Sequence, residues 1–469
     1  MAKFIALVRN ENLKLRRRKT IWVMLVLLLV FSLGYTAIIG GLTGMFDTLF
    51  SDGNMPFEEF CDEQIEGCKG WLANAEDPED AESARIDLLF YKTLKEIGSD
   101  WDDWRYTTGI VHEYAKQATA GSSEAADELK AMIDANDYKA YYRRQIAENE
   151  RMYAAVSGAA DAVNEGLRYC LEHDIEPSSE NWKYNTAMRM GGFSFRLVMH
   201  RTAGDASSSQ YESDLNDYSV AKYRLEHNVR VNPASSFQRN LLNFGGEYAD
   251  TNSRFWDTAR SSVSLVSVVG LFGIIIAAGM VAAEFGKGTV KFLLIAPASR
   301  PKILLAKYCS LLLNMAMFLF ALFFANLLFA VLFCGGGDLF LPILSVSGGV
   351  VRKSSPILRL LGLYLLDGVG TVATATLAFA VSSLLRNSGA AVGVSMLVQF
   401  GGNLINTILS MARADWGRYL IFANINLSNI QSGSSYFPHQ TVGAAMFVVL
   451  LHMAVFLLVA FDAFDRKEV

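Results

Sequence analysis

The chain lacks the usual signatures of hydrolytic and metal chemistry. It holds no HExxH helix, and its six histidines (His112, His173, His200, His227, His439 and His452) form no ligand pair at helical spacing. Gly286-Lys-Gly-Thr289 resembles a fragment of a phosphate loop, but Gly288 interrupts the Gly-Lys-Ser/Thr run and Val281 stands where the leading glycine is required. The five cysteines fit no metal spacing, and no internal repeat or low-complexity tract is present. Charge is also scarce, at 19% of residues, against 52% hydrophobic residues and a mean hydropathy of +0.23. That balance excludes an ordinary soluble multidomain protein and points to an integral membrane protein. No catalytic residue, metal site or cofactor is assigned to this chain, it is not expected to be an enzyme by itself, and no nucleic-acid partner is expected.

The charge that exists is segregated. Residues 43–257 hold 39 of the 47 acidic side chains and 21 of the 42 basic ones, so the remainder is strongly basic. Residues 1–19 place Phe4, Leu7, Val8 and Leu15 on one helical face beside Lys3, Arg9, Lys14 and Arg16-Arg17-Arg18-Lys19. The pattern fits an interfacial amphipathic helix, or equally a basic tail that sets topology, and both put the N-terminus inside. Residues 20–42 are uncharged from Ile21 on and long enough to cross roughly 30 Å of hydrocarbon, longer than a cleavable signal core. Residues 43–257 follow as an acidic, Tyr- and Trp-rich domain on the opposite, extracytoplasmic side. Helical periodicity runs through Ala84–Ile97, Glu124–His173 and Asp214–Asn228, with start and stop signals at Ser122-Ser123 and Gly98. Its tyrosines read as core and its acidity as a solvated face. Within it a Cys61–Cys68 disulfide is left open.

Further spans are expected over 258–283, 304–334, 357–385, 388–411 and 441–464, which makes six and returns the tail, 465–469, to the cytoplasm. The fold class is an all-α membrane protein with its large, mainly helical domain between the first two spans. Residues 335–356 form an outer loop whose Arg352 and Lys353 conflict with the positive-inside rule. Residues 412–440, with Trp416, Tyr419 and Phe422 among Asn424, Asn426 and Asn429, are too polar to span and read as an outer re-entrant or surface segment. Asp367 lies about ten residues into the fourth span, where an ionisable group costs several kcal/mol unless it faces protein or water. It marks a translocation path or subunit interface, or else bonds to Thr371 or a neighbouring helix. Gln399, Asn403 and Asn406 share one side of the fifth span as a polar seam, and Gly368, Gly370, Gly389, Gly393, Gly401 and Gly402 allow close helix approach.

Residues 284–303 are a short basic segment caught between the second and third spans, with Lys287, Lys291, Arg300 and Lys302 against Glu284 and with Lys307 just beyond. Val290, Leu293 and Leu294 form an apolar side, Pro297 ends the helix, and Ser299 with Pro301 restarts one. The order of a basic amphipathic helix, a span, a large outer domain, a span ending in Glu284, then Gly288-Thr289, Leu293-Leu294, Pro297, Ser299-Arg300 and Lys307 resembles ABC-2 type transporter permeases. The resemblance covers the six-span frame, about half the chain. It implies an exporter subunit in the cell membrane, pairing with a second permease copy or a related permease and with separate ABC ATPase subunits that carry ATP and Mg. It also implies that Glu284, Lys287, Gly288, Thr289, Val290, Leu293, Leu294, Pro297 and Arg300 form a coupling helix against the ATPase. The alternative is a multi-span receptor or scaffold that displays a ligand-binding outer domain. Nothing in the sequence names a substrate.

Overall fold

The computed structural model describes residues 2–50, 55–231, 254–286, 299–336, 339–385, 387–431 and 435–466. In chain order, α1 (Ala2–Arg16) and α2 (Lys19–Phe50) lead into nine helices. These are α3 (Phe57–Asn74), α4 (Pro78–Glu96), α5 (Trp104–Thr107), α6 (Ile110–Thr119), α7 (Ser123–Asp134), α8 (Tyr138–Met152), α9 (Ala159–Glu172), α10 (Trp182–Thr202) and α11 (Ser209–Glu226). Next come α12 (Arg254–Ser261), α13 (Val266–Gly286), α14 (Arg300–Cys334), a hairpin of β1 (Ile343–Ser347) and β2 (Val350–Ser354), α15 (Pro356–Leu385), α16 (Ser388–Met411), α17 (Leu427–Gln431) and α18 (Val442–Arg466). The chain divides into two compact units, one of residues 1–44, 253–340 and 355–469, the other of residues 45–252 and 341–354.

The first unit is a helical bundle. Six of its helices are long and apolar enough to cross a membrane: Lys19–Gly41, Thr258–Ala282, Arg300–Cys334, Pro356–Leu385, Ser388–Met411 and Val442–Asp465. The second and fourth of these are 67% buried and form the centre, whereas the fifth and sixth are only 17% buried. Those outer helices expose Leu397, Leu404, Phe447 and Leu458, a surface suited to hydrocarbon rather than water. The centre is held by a chain of buried polar groups. The Ser32 hydroxyl donates to Asn326 Oδ1 (2.5 Å), the Asn326 amide donates to the Tyr364 hydroxyl (2.8 Å), and that hydroxyl meets Ser262 Oγ (2.8 Å). One polar thread therefore ties the first, third, fourth and second spans, where unpaired groups in hydrocarbon would cost several kcal/mol each.

The second unit is mainly helical, with two aromatic cores. α3 buries Phe57, Cys61, Ile65 and Cys68, the four-, four- and three-residue steps of one helical stripe, and Phe57 meets Trp101 edge-on at 4.9 Å. A second cluster gathers Tyr142, Cys170, Ala187, Met190 and Leu225, with the Tyr142 hydroxyl donating to the Ile175 carbonyl at 3.0 Å. The tyrosines Tyr138, Tyr141 and Tyr142 thus serve as core, as their periodicity suggests. The long helical tract from Glu124 to His173 is three helices, broken where Asn136 and Gly158 take positive φ.

One open question is answered, and one detail departs from expectation. Cys61 and Cys68 are free, as are the other three cysteines; they lie seven residues apart on one helix, a rise of roughly 10 Å that no disulfide spans. The loop between the third and fourth spans is a β-hairpin, a small exception to the all-α class. Its Gly348 and Gly349 both take positive φ, as a two-residue primed turn requires, with Ser347 paired to Val350. The hairpin belongs to the second unit, where Leu344 and Val351 pack with Val220, Tyr223, Val229 and Val231, and the Lys353 ammonium lies over the Tyr223 ring. Arg352 and Lys353 are thereby part of the folded unit rather than a bare membrane loop, which removes their weight as topology signals.

Candidate functional site in the helical bundle

Asp367 organises the interior of the bundle. Its two carboxylate oxygens accept the backbone N–H (2.9 Å) and hydroxyl (2.8 Å) of Ser428. Ser428 lies in the first turn of α17, so the carboxylate takes up one of the N–H groups that helix geometry leaves without a partner. The partner is therefore a neighbouring segment and not Thr371, whose hydroxyl donates to the Gly368 carbonyl. α17 and the two 3-10 turns before it, Asp415–Tyr419 and Ile421–Asn424, pack Ile421, Ile425, Leu427 and Ile430 against the fourth and sixth spans. Close approach makes this fit: a Cβ on Gly370 would stand 1.9 Å from the Ile425 carbonyl oxygen. Gly368 and Gly402 are less tight, a Cβ there meeting the Leu319 side chain at 2.9 Å and the Phe422 ring at 3.2 Å, while Gly393 and Gly401 face open space.

Beside Asp367 lies a cavity of about 450 Å³, within the size range of small-ligand sites. The second span contributes Arg260, Ser264 and Ser267 to its wall, the fifth Gln399, Phe400 and Asn403, and the short segment Asn426 and Asn429. Gln399 fixes the junction, donating to the Ser267 carbonyl at 2.6 Å and accepting from the Thr374 hydroxyl at 3.0 Å. Asn406 is not in the lining. It is buried and donates to the Phe422 carbonyl at 2.8 Å, which anchors the short segment. The structure thus brings Asp367, Gln399 and Asn403 to one cavity and gives Asn406 a positioning task. The contribution of Arg260 and Ser264 had no distinct signal in the sequence, because both sit where a span begins.

Of the expected coupling residues, Lys287, Gly288, Thr289, Val290, Leu293, Leu294 and Pro297 lie outside the described residues. Glu284 falls in the last turn of α13. Arg300 opens α14 and donates to the Asp465 carbonyl of α18 at 3.3 Å. Ser299 holds the N-cap position with extended backbone and Pro301 the first turn, but the Ser299 side chain makes no capping bond.

Lys307 is not a free basic-loop charge. Only 2% exposed, its ammonium stands 2.9 Å from Glu11 Oε2, and Glu11 Oε1 meets Lys14 at 2.6 Å. One residue further along α1 and about two turns further along α14, the Asn314 amide donates to Asn12 Oδ1 at 3.1 Å. Burial pushes the Glu11 carboxyl up, yet the Lys307 and Lys14 ammonium groups outweigh it and hold the carboxyl below its ordinary value. The N-terminal helix is therefore keyed to the third span through polar contacts in addition to its apolar face. Among the described residues, no three His, Cys, Asp or Glu side chains converge as a metal site.

Six apolar helices, of which the second, fourth and fifth line a polar cavity, fit an all-α membrane protein. Residues 231–469, half of the chain, match the family described as "Protein of unknown function (DUF2705)", and the chain belongs to that family. It is similar to "Uncharacterized protein YhcI" of Bacillus subtilis (strain 168), 31% identical over 288 residues that cover 60% of this chain and 91% of that relative. "Uncharacterized membrane protein YdbK" of the same organism is 30% identical over 223 residues, 47% of this chain and 86% of that relative. No solved structure matches the chain.

Proposed function

We propose that the chain is the permease subunit of an ABC-2 type exporter, working with separate ATPase subunits and a second permease. The observation that carries the reading is the polar cavity around Asp367 inside a six-span bundle, since a membrane anchor has no use for an intramembrane carboxylate and a ligand-sized space. The cavity's wall includes the second span, and the basic segment with Val290, Leu293 and Leu294 joins that span to the third. A partner that gripped this segment would pull on one wall of the cavity, and packed helices respond to such a pull by shifting as groups. ATP chemistry and Mg would reside wholly on the partner. In this reading both termini and the coupling segment are cytoplasmic, which the basic residues before the first span and between the second and third favour. The hairpin supports the same topology, because it folds into the unit inserted between the first two spans and so shares its side, outside the cell.

The test is purification of the full chain in mild detergent after co-expression with its genomic neighbours. An ATPase subunit should accompany it, and Leu293→Asp with Leu294→Asp should abolish that association while leaving membrane insertion intact. A chain that purifies alone would overturn the reading and favour a receptor or scaffold.

A further inference from the structure

We infer that the cavity receives an organic amine, a ligand whose primary ammonium group stands against Asp367 and whose small apolar part fills the remaining space; this ligand class rests on reading the cavity as the permease's substrate site. Both Asp367 oxygens accept, one from the Ser428 backbone N–H and one from the Ser428 hydroxyl, as the oxygens of an ionised carboxylate do. Those donors are neutral, and among the described residues no ammonium or guanidinium forms an ion pair with the carboxylate. In a low-dielectric interior, an anion that lacks an opposite charge is strongly disfavoured. Two accepted bonds use half of a carboxylate's roughly four acceptor sites, so both oxygens keep capacity for the N–H groups of an ammonium.

The hydroxyls of the wall lean the same way. Each has one proton to give and gives it inside the chain: Ser261 to the Thr258 carbonyl (2.9 Å), Ser264 to that of Ser261 (2.8 Å), Ser267 to that of Ser264 (2.7 Å), Thr371 to that of Gly368 (2.8 Å) and Ser428 to Asp367 (2.8 Å). What they leave for a ligand is oxygen lone pairs, which serve an N–H donor and do nothing for an anion. Arg260, the other charged residue of the wall, is already engaged within the chain. Val263, Val266, Leu363 and Phe400 give the apolar surface. Among the described residues Phe400 is the single aromatic ring of the lining, whereas quaternary ammonium groups take cages of several rings and have no N–H to offer an oxygen. A primary ammonium therefore fits this wall better than a trimethylated one. The same group occurs on a free amine and on a lipid base.

The experiment measures binding of radiolabelled phenethylamine to the full chain in dodecylmaltoside, with its trimethylammonium derivative, hydrocinnamate, sphingosine and sodium chloride as competitors. Phenethylamine should bind saturably, and the trimethylammonium derivative and the carboxylate should each compete at least tenfold less well than the unlabelled amine. Asp367→Asn should weaken the amine at least tenfold and erase its advantage over the trimethylammonium derivative. Asn403→Lys, at an exposed position of the fifth span, brings an ammonium to the wall and should weaken the amine by a similar factor; it serves as the independent variant if Asp367→Asn does not elute as a folded species. Displacement by sphingosine at a concentration at least tenfold below that of unlabelled phenethylamine would assign a lipid-borne ammonium, and weaker displacement a free amine. Equal competition by the trimethylammonium derivative or by hydrocinnamate, displacement by sodium chloride but not by choline chloride of equal strength, or variants that bind as wild type does, would overturn the inference. Absent amine binding with an ATPase still co-purifying overturns only the ligand class; amine binding without any ATPase overturns only the permease reading.

Discussion

Glu11→Gln is the sharpest structural perturbation available, because it removes one charge from a pair that closes α1 onto the third span. Lys307 is 2% exposed and Glu11 8%, and breaking one side of a buried pair costs roughly 3–5 kcal/mol. Two facts reduce that figure here: glutamine keeps one oxygen to accept from Lys307, and Glu11 also serves the more exposed Lys14. A loss of about 2–3 kcal/mol is expected. Lys307→Met should cost less, because Glu11 then keeps Lys14, and Glu11→Leu combined with Lys307→Met should recover about 1–3 kcal/mol over the sum of the single changes. The assay is dodecyl sulfate titration of the purified chain in dodecylmaltoside, followed by circular dichroism. The pH dependence gives a second reading. A carboxyl held below its ordinary value stabilises the fold above the unfolded value near 4.5 and loses that contribution as pH falls through the folded one. Wild type should therefore weaken below about pH 4.5 more steeply than Glu11→Gln does. Additive single changes, or identical acid profiles, would refute the idea that this pair secures α1.

Three further outcomes test other parts of the structure. Gly370→Ala places a methyl 1.9 Å from the Ile425 carbonyl and should lower the melting temperature well beyond Gly393→Ala, whose methyl meets open space and should be neutral or stabilising by up to about 1 kcal/mol; equal melting curves would contradict the close packing. Native thiol titration should find no disulfide, and Cys61, Cys68 and Cys170 should react only after denaturation, since all three are buried and burial pushes the Cys170 thiol up to about 12; rapid labelling of the folded chain would be inconsistent with both cores. Asp367→Ala in the assembled complex should lower substrate-stimulated ATP hydrolysis while association persists, and wild-type stimulation would leave Asp367 as a packing residue.

How much of this was legible in the chain follows from the range of each signal. Spans announce themselves locally, as apolar runs of twenty or more residues with little or no charge, and the six apolar helices stand where such runs occur. The hairpin also had a local signal, Gly348-Gly349 between Ile343-Leu-Ser-Val and Val350-Val351, but it lay inside what looked like a simple connecting loop. Helix breaks at Asn136 and Gly158 were masked by continuous periodicity on either side. Asp367 was recognisable because a carboxylate in a span is costly wherever it points. Its partner Ser428 is 61 residues away, and Glu11 is 296 residues from Lys307, so neither pairing follows from spacing. Lys307 illustrates the hazard: next to Arg300 and Lys302 it reads as one more basic-loop charge, and only packing shows it turned inward.

The central claim, that energy enters this chain from an ATPase through the segment between the second and third spans, is tested most directly by ATP hydrolysis in proteoliposomes. The chain reconstituted with its neighbouring ATPase should hydrolyse ATP at a rate that depends on the chain's presence. Leu293→Asp with Leu294→Asp should return that rate to the level of the ATPase alone. A rate unaffected by adding the chain, or by the double substitution, would contradict the account.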